Sequence, residues 1–470
     1  MVADLSGRTA SRTDGATLAV LFTFSLMIIP ARLVLKGLPL SLTPANVLSL
    51  IAGLAWMCAT FTTTLGLAKG RTPVRTALFV YVVALLATYG LANYGYLPSD
   101  ERNLADHALV LVLANVGLAL AICDGVRSRE RVDFLLKGVV VAGAIIAIIA
   151  AFQFLVDLDL TKYLELPVLR FASEGGDVDA RDSLRRVAST TAHPIEFGVL
   201  SAMVLPLAVH YGFKAKSLGQ PALRWWLCAL LIGMGLMFSI SRSAVLSVGI
   251  VGFIVFLGWP GRRKLQALLV VLAFLALMRV MVPGLLNTLY GLFANFGTDS
   301  SVQYRTHDYS VAATEMSKHL WLGRGIGTWY APKYQVFDNQ YILSGVESGV
   351  IGIAVLVGIF LSGIFSALRA RYLSTDPWAR DLALTIAACL VAPVVGAATF
   401  DLLSFATVTG ISFLLIGVAG ALLRLATAEA AQQAIMGTEA TQRWSWRTGR
   451  DGTTSWPVFR RPAPGASARR

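Results

Sequence analysis

Charge is what this sequence has least of. Only 14% of its 470 residues are Asp, Glu, Lys or Arg, where a soluble domain carries about 25%. Hydrophobic residues make up 56%. Apolar runs of roughly 17–25 residues recur from end to end, each long enough to cross a bilayer as a helix. An ordinary soluble enzyme is thereby excluded. The ~10-residue alternating segments of a membrane β-barrel are missing, which leaves an all-α polytopic membrane protein. Nucleotide and metal signatures are missing as well, with no GxxxxGK[ST] and no HExxH, so neither cofactor nor metal is expected. Cysteine is scarce: Cys58, Cys123, Cys228 and Cys389 fall in or beside apolar runs without CxxC spacing, which excludes a disulfide framework or zinc site. No small-residue cleavage site follows the first apolar run, so no cleavable signal peptide is expected.

Twelve spans are expected, near residues 15–34, 45–67, 76–93, 104–123, 134–156, 194–213, 223–241, 243–259, 265–283, 340–368, 380–399 and 402–424. Short cytoplasmic loops collect Lys and Arg. The even loops each carry a trio: Lys69/Arg71/Arg75, Arg127/Arg129/Arg131, Lys214/Lys216/Arg224, Arg262/Arg263/Lys264 and Arg369/Arg371/Arg380. The odd short loops carry less: Arg32 and Lys36, then Arg102, then Arg242, then no base beside Asp401. Both termini are therefore placed in the cytoplasm. The stretch 227–259 depends on this count, because Arg242 is its sole charge. As one straight helix it would run about 50 Å at ~1.5 Å per residue, too long for a ~30 Å hydrocarbon core. Two helices joined at Arg242 resolve this and set the arginine at the outer face.

Two long segments, 157–193 and 284–339, fall on the same outer side. Long connections of this kind are uncommon unless functional. The second holds a predicted helix near 304–320, followed by the glycine-rich "LGRGIGTW". Residues 1–14 form a cytoplasmic lead, 15–424 the membrane domain, and 425–470 a basic tail expected to be disordered. The tail suits the anionic inner leaflet at about 1 kcal/mol per basic residue. The net charge of +13 thus lies in short loops and tail, which speaks for a lipid bilayer and against nucleic acid.

The outward polar groups form a set: "RRVASTTAHPIEFG" with Arg185, Arg186 and His193; "SISRSA" with Arg242; "YRTHDYS" with Arg305; "GRGIGTW"; and "FDNQYILSGVESGVIG" with Asp338, Asn339 and Glu347. A guanidinium offers a planar fork matched to phosphate oxygens, so several arginines at one membrane face suit a phosphate-bearing lipid. Plainer roles stand beside each. Arg242 can anchor a turn by snorkelling, His193 can mark a helix entry, and Asp338 can cap the helix that follows. Glu347 lies two turns inside that helix, at a depth where a carboxylate needs a partner.

Over roughly residues 185–352 these pieces, in this order, resemble the O-antigen ligase and polymerase family. That resemblance implies a membrane glycosyltransferase (GT-C-like) fold with a long outer loop between spans 9 and 10, in a bacterial inner membrane. It implies a polyprenyl-diphosphate-linked glycan as donor and a lipid, glycan or protein hydroxyl as acceptor. By the same resemblance Arg242 and Arg305 contact the diphosphate, with Arg185, Arg186, His193, Asn339 and Glu347 around the substrate. Ligases of this family commonly carry a histidine before the asparagine of their "HNxYL" motif; Asp338 stands there instead and becomes the candidate base. A twelve-span secondary transporter or flippase is the alternative from another class, although the short sixth loop and "AKGRTPVR" lack the usual transporter signature.

Overall fold

The computed structural model describes residues 14–38, 40–62, 72–164, 166–172, 180–181, 184–294, 300–331 and 333–448. Lys69, Arg71 and the last basic residues of the tail lie outside them. The chain divides into two compact units, Met1–Ala426 and Thr427–Arg470.

The first unit is a helical bundle. Its helices are α1 (Gly15–Ile28), α2 (Pro44–Phe61), α3 (Pro73–Tyr94), α4 (Ser99–Gly125), α5 (Arg129–Leu155), α6 (Pro194–Ser217), α7 (Leu223–Phe238) and α8 (Arg242–Gly258). After these come α9 (Gly261–Met281), α10 (Leu285–Ala294), α11 (Ser300–Lys318), α12 (Gln340–Leu373), α13 (Pro377–Gly396) and the start of α14 (Ala406–Thr448). Among the described residues nine of them are long and apolar enough to cross a membrane. Three more apolar helices, α1, α7 and α8, are shorter. Each of the twelve expected spans meets one helix. The helix expected near 304–320 is α11, begun four residues earlier. Short strands occur only outside the helices: β1 (Leu33–Leu35) pairs antiparallel with β2 (Leu169–Phe171), and β3 (Ala180–Arg181) with β4 (Leu184–Arg185).

The helix starts follow from local chemistry. Thr43–Pro44, Thr72–Pro73, His193–Pro194 and Asp376–Pro377 each place a capping side chain directly before a proline. The cap accepts an otherwise orphaned N–H, while proline at the first helical position has no N–H to lose and a preset φ. The 33-residue apolar run divides as expected. α7 ends at Phe238 and α8 begins at Arg242, with Ile240 turned to φ 42° and Ser241 accepting from the Ala244 N–H at 3.4 Å.

Burial sorts the helices from centre to rim. In the most apolar stretch of α14, 94% of residues are buried, against 78% for α6 and α13 and 6% for α9. Small residues permit this centrality. A methyl group on Gly417 would lie 2.6 Å from the Ala119 carbonyl oxygen, so α4 and α14 meet backbone to backbone. α9 exposes apolar side chains on nearly all sides, which is stable only against lipid.

Polar bonds tie the helices together at each end of this unit. At one end Arg131 pairs with Asp14 (2.6 Å), Lys214 with Asp133 (2.5 Å), Arg263 with Asp381 (3.3 Å), and Arg75 with Asp124. Arg424 donates to the Cys123 carbonyl there at 3.2 Å. The described residues of the basic trios belong to this end. The described residues of segments 29–36, 156–193, 238–242, 282–339 and 397–405 form the opposite end, tied by the Ala31 N–H to Thr190 O (2.8 Å) and the Thr190 hydroxyl to Met27 O (2.5 Å).

In the second unit, helix continues to Thr448, where composition pointed to disorder from residue 425. The reason lies in "TAEAAQQAIMGTEATQ": Ala, Glu, Gln and Met are strong helix formers, and the prolines and most of the arginines come later.

Candidate functional site

The end opposite the basic trios collects the sequence's outward set. The Val187 N–H donates to the Phe238 carbonyl at 3.4 Å, which docks the Arg185–Arg186 segment on the α7–α8 turn that carries Arg242. α6 presses on the same turn. A methyl group on Gly198 would lie 2.5 Å from both Ala244 Cβ and Ser239 Oγ. Arg242 is half-buried at the first position of α8. Arg185 is exposed and pairs with Asp157 at 2.7 Å. Asp159, two residues on, accepts from Gln153 (2.9 Å) and from the Thr161 N–H (3.0 Å) and hydroxyl (2.7 Å). Those hydrogen bonds hold its carboxyl below the ordinary range, against its burial. Asp157 and Asp159 are thus engaged in the folding of this loop.

His193 caps α6. Its Nδ1 accepts from the Ile195 N–H at 3.1 Å, and its ring lies 5.9 Å from that of Phe405. Phe405 closes the 397–405 loop, and α12 docks on that loop from its other side. The Gln340 N–H reaches Ala397 O (2.8 Å) and Phe400 O (3.2 Å), the Leu403 N–H reaches Gln340 Oε1 (2.7 Å), and Asn339 Nδ2 reaches Ala398 O (3.2 Å). The cap of α12 is Asn339, accepting from Tyr341 (2.9 Å) and Ile342 (3.3 Å). Asp338, the other possible cap, is exposed and does not perform that task. Its carboxylate lies near Asp401, whose carboxyl is raised above the ordinary range chiefly by burial and further by Asp338. Sequence reasoning passed over Asp401 except as a loop marker, yet a signal was present. It is the one charge between Asp381 and Arg424.

Glu347 is half-buried in α12 beside a break in that helix. Gly349 sits at φ 65°, ψ −166°, a conformation outside any helix. Leu320, Trp321 and the "LGRGIGTW" that follows them replace the missing helical bonds. The N–H groups of Arg324 and Gly325 donate to Val346 O (2.9 Å) and Glu347 O (2.8 Å), while those of Val350 and Ile351 donate to Leu320 O (2.9 Å) and Trp321 O (3.3 Å). Irregular backbone at membrane depth is tolerated where protein satisfies its polar groups in this way. A methyl group on Gly323 would meet the Glu347 backbone at 2.3 Å, and one on Gly349 would meet Trp321 at 2.4 Å. The Glu347 side chain holds the same loop, accepting from the Trp329 N–H at 3.3 Å. Arg324 and Lys333 in turn grip Glu101 at 2.9 and 2.7 Å. Those contacts hold both side chains more firmly protonated than usual, in spite of desolvation.

A cavity of about 320 Å³ lies between α3, α4, α12, α14 and this loop. Its lining includes Glu347 and Gln340 but none of Arg185, Arg186, His193 and Arg242. Arg305 lies in α11, and its side chain is outside the described residues. The sequence-predicted residues therefore form three neighbouring groups: Arg185, Arg186 and Arg242 about the α7–α8 turn; His193, Asp338 and Asn339 about the 397–405 loop; and Glu347 at the helix break.

Residues 227–357, from α7 through the break in α12, match the family model for O-antigen ligase (Wzy_C). No curated protein matches the chain. This matched domain, which contains Arg242, Arg305, Asp338, Asn339 and Glu347, supports a likeness to the O-antigen ligase/polymerase family, in keeping with the nine described helices long and apolar enough to cross a membrane.

Proposed function

We propose that the chain is a glycosyltransferase that moves glycan from a polyprenyl-diphosphate carrier to an acceptor hydroxyl at the outer face of the bacterial inner membrane. The observation that carries this is the α7–α8 turn. It lies inside the O-antigen ligase match, and Arg242 opens a helix there beside the docked Arg185–Arg186 segment. The α6, α8 and α12 N-termini all belong to this end. Each carries partial positive charge and favours an anion nearby. Three helix ends and several guanidinium groups offer a diphosphate both charge and donors.

In the transfer the acceptor oxygen bonds to the anomeric carbon. The bond from that carbon to the diphosphate oxygen breaks, and its electron pair leaves with the carrier. The hydroxyl proton passes to a carboxylate, for which the exposed Asp338 is the candidate. Diphosphate is already a good leaving group, so positioning and neutralisation of developing charge supply the catalysis. Arg242 and Arg305 neutralise the departing diphosphate; Asp338 takes the proton. With both termini inside, the α7–α8 turn and both long loops face outward.

The test is transfer in vesicles holding the full chain, the host's lipid-linked glycan and its acceptor. Arg242→Ala should abolish covalent product and release of free polyprenyl diphosphate while the protein still purifies as a folded species. Wild-type product formation by that variant, or sugar flux without any covalent product in the parent, would overturn the reading.

A further inference from the structure

We infer that the cavity between α3, α4, α12 and α14 is a saccharide subsite that takes a sugar ring of the transferred glycan or its acceptor. This deepens the transferase reading and rests on it for the identity of the glycan. The argument is chemical. Polar side chains inside a membrane bundle are costly and persist where they serve a cavity or a substrate path. Among the residues lining this cavity, His107, Asn115, Ser344, Glu347, Ser348 and Ser404 are polar, Tyr81, Trp329 and Phe413 supply aromatic faces, and most of the remaining wall is leucine, isoleucine, valine and alanine. An acyl or prenyl chain offers nothing to those groups. A sugar ring offers hydroxyls that donate and accept, and C–H faces that pack on aromatic rings. The volume falls at the lower end of the ~300–1,000 Å³ typical of small-ligand pockets.

Several lining groups are committed to the protein and several are not. Gln340 is spent on Ser344 (3.0 Å) and on the Leu403 N–H, and Asn115 Nδ2 on the Leu111 carbonyl (3.0 Å). The Tyr81 hydroxyl, the Ser348 hydroxyl and the His107 imidazole have no hydrogen-bond partner among the described residues. Tyr81 and Ser348 are 2% and 4% exposed and His107 is half-buried, and all three line the cavity. Buried polar groups of this kind are ordinarily paired, and sugar hydroxyls are partners of the right type. The cavity also borders the chemistry. Gln340 adjoins the Asp338–Asn339 pair, and Ser404, hydrogen-bonded to Asp401, is a wall residue.

Two conservative variants test this, Tyr81→Phe, which removes a single oxygen, and His107→Gln. Binding of the water-soluble glycan released from the donor by mild acid is measured by calorimetry on the detergent-purified full chain, with or without turnover. Each variant should weaken it about 3–10-fold, the loss of one neutral hydrogen bond. Affinity for polyprenyl diphosphate carrying no sugar should stay unchanged. In the transfer assay a raised KM for the donor assigns the subsite to the donor glycan, and a raised KM for the acceptor assigns it to the acceptor. Unchanged glycan affinity in both variants, or equal loss of affinity for the sugarless carrier, overturns the subsite. Neither result bears on Arg242, whose variant reads the transferase assignment independently.

Discussion

The break in α12 makes Gly349→Ala the most informative substitution in the chain. Gly349 occupies φ 65°, ψ −166°, a region essentially restricted to glycine, and a side chain there costs about 1–3 kcal/mol in backbone strain. The added methyl would also lie 2.4 Å from the carbonyl carbon and oxygen of Trp321 and 2.7 Å from the Leu320 oxygen. The two strands of backbone must separate. The bonds from Val350 N–H to Leu320 O and from Ile351 N–H to Trp321 O then lengthen or break, at about 0.5–1.5 kcal/mol each. The sum is a loss of roughly 2–6 kcal/mol. Gly358, nine residues on in the same helix, has nothing within 4 Å of an added methyl, so Gly358→Ala should be neutral or gain up to ~1 kcal/mol from helix propensity. The assay is the thermal unfolding midpoint of the detergent-purified protein, monitored by accessibility of the buried Cys123 and Cys389 to a thiol dye. The Gly349 variant should melt well below the parent and the Gly358 variant with it or above. Equal melting of the two variants would refute the spliced helix, because a continuous α12 would welcome alanine at both places.

Asn339 separates a structural from a substrate role. Asn339→Ala should cost about 1 kcal/mol through the lost cap, whereas Asn339→Ser should keep the cap, lose only the exposed bond to the Ala398 carbonyl and melt above Asn339→Ala; transfer lost in Asn339→Ser but kept in Asn339→Ala would refute a role set by the cap alone. Asp401 predicts a pH dependence. Its carboxyl is raised in the folded protein by burial and by Asp338, so the unfolded chain gives up this proton first as pH rises. Ionising Asp401 therefore opposes folding above its unfolded value, and that opposition is complete above the folded value and absent below both. Asp401→Asn should gain stability relative to the parent as pH goes from about 4 toward neutrality, read as the difference in melting point across that range; a flat difference would refute it.

Much of this was legible along the chain, for a physical reason that particular residues display. A helix in a bilayer must be apolar over its length and must satisfy its own backbone, so span positions are written locally. Arg242 ended one helix and began the next because a lone guanidinium does not rest in the middle of 33 apolar residues. Cap and proline signals at Thr43, Thr72, His193 and Asp376 acted within four residues of themselves. The glycines of "LGRGIGTW" announced close backbone approach without saying to what. What the chain alone left open were the choices between neighbours. Asp338 and Asn339 are both good caps, and docking on the 397–405 loop selected Asn339.

Composition and periodicity by themselves determined a multi-helix apolar protein with its basic loops at one end and a second polar set at the other. Tertiary structure alone decided that the glycine loop splices into a broken helix, that Asp401 comes beside Asp338, and that Tyr81, His107 and Ser348 line one cavity. Each of these joins segments tens to hundreds of residues apart. Such contacts depend on which helix faces meet, and no local preference of the backbone encodes that.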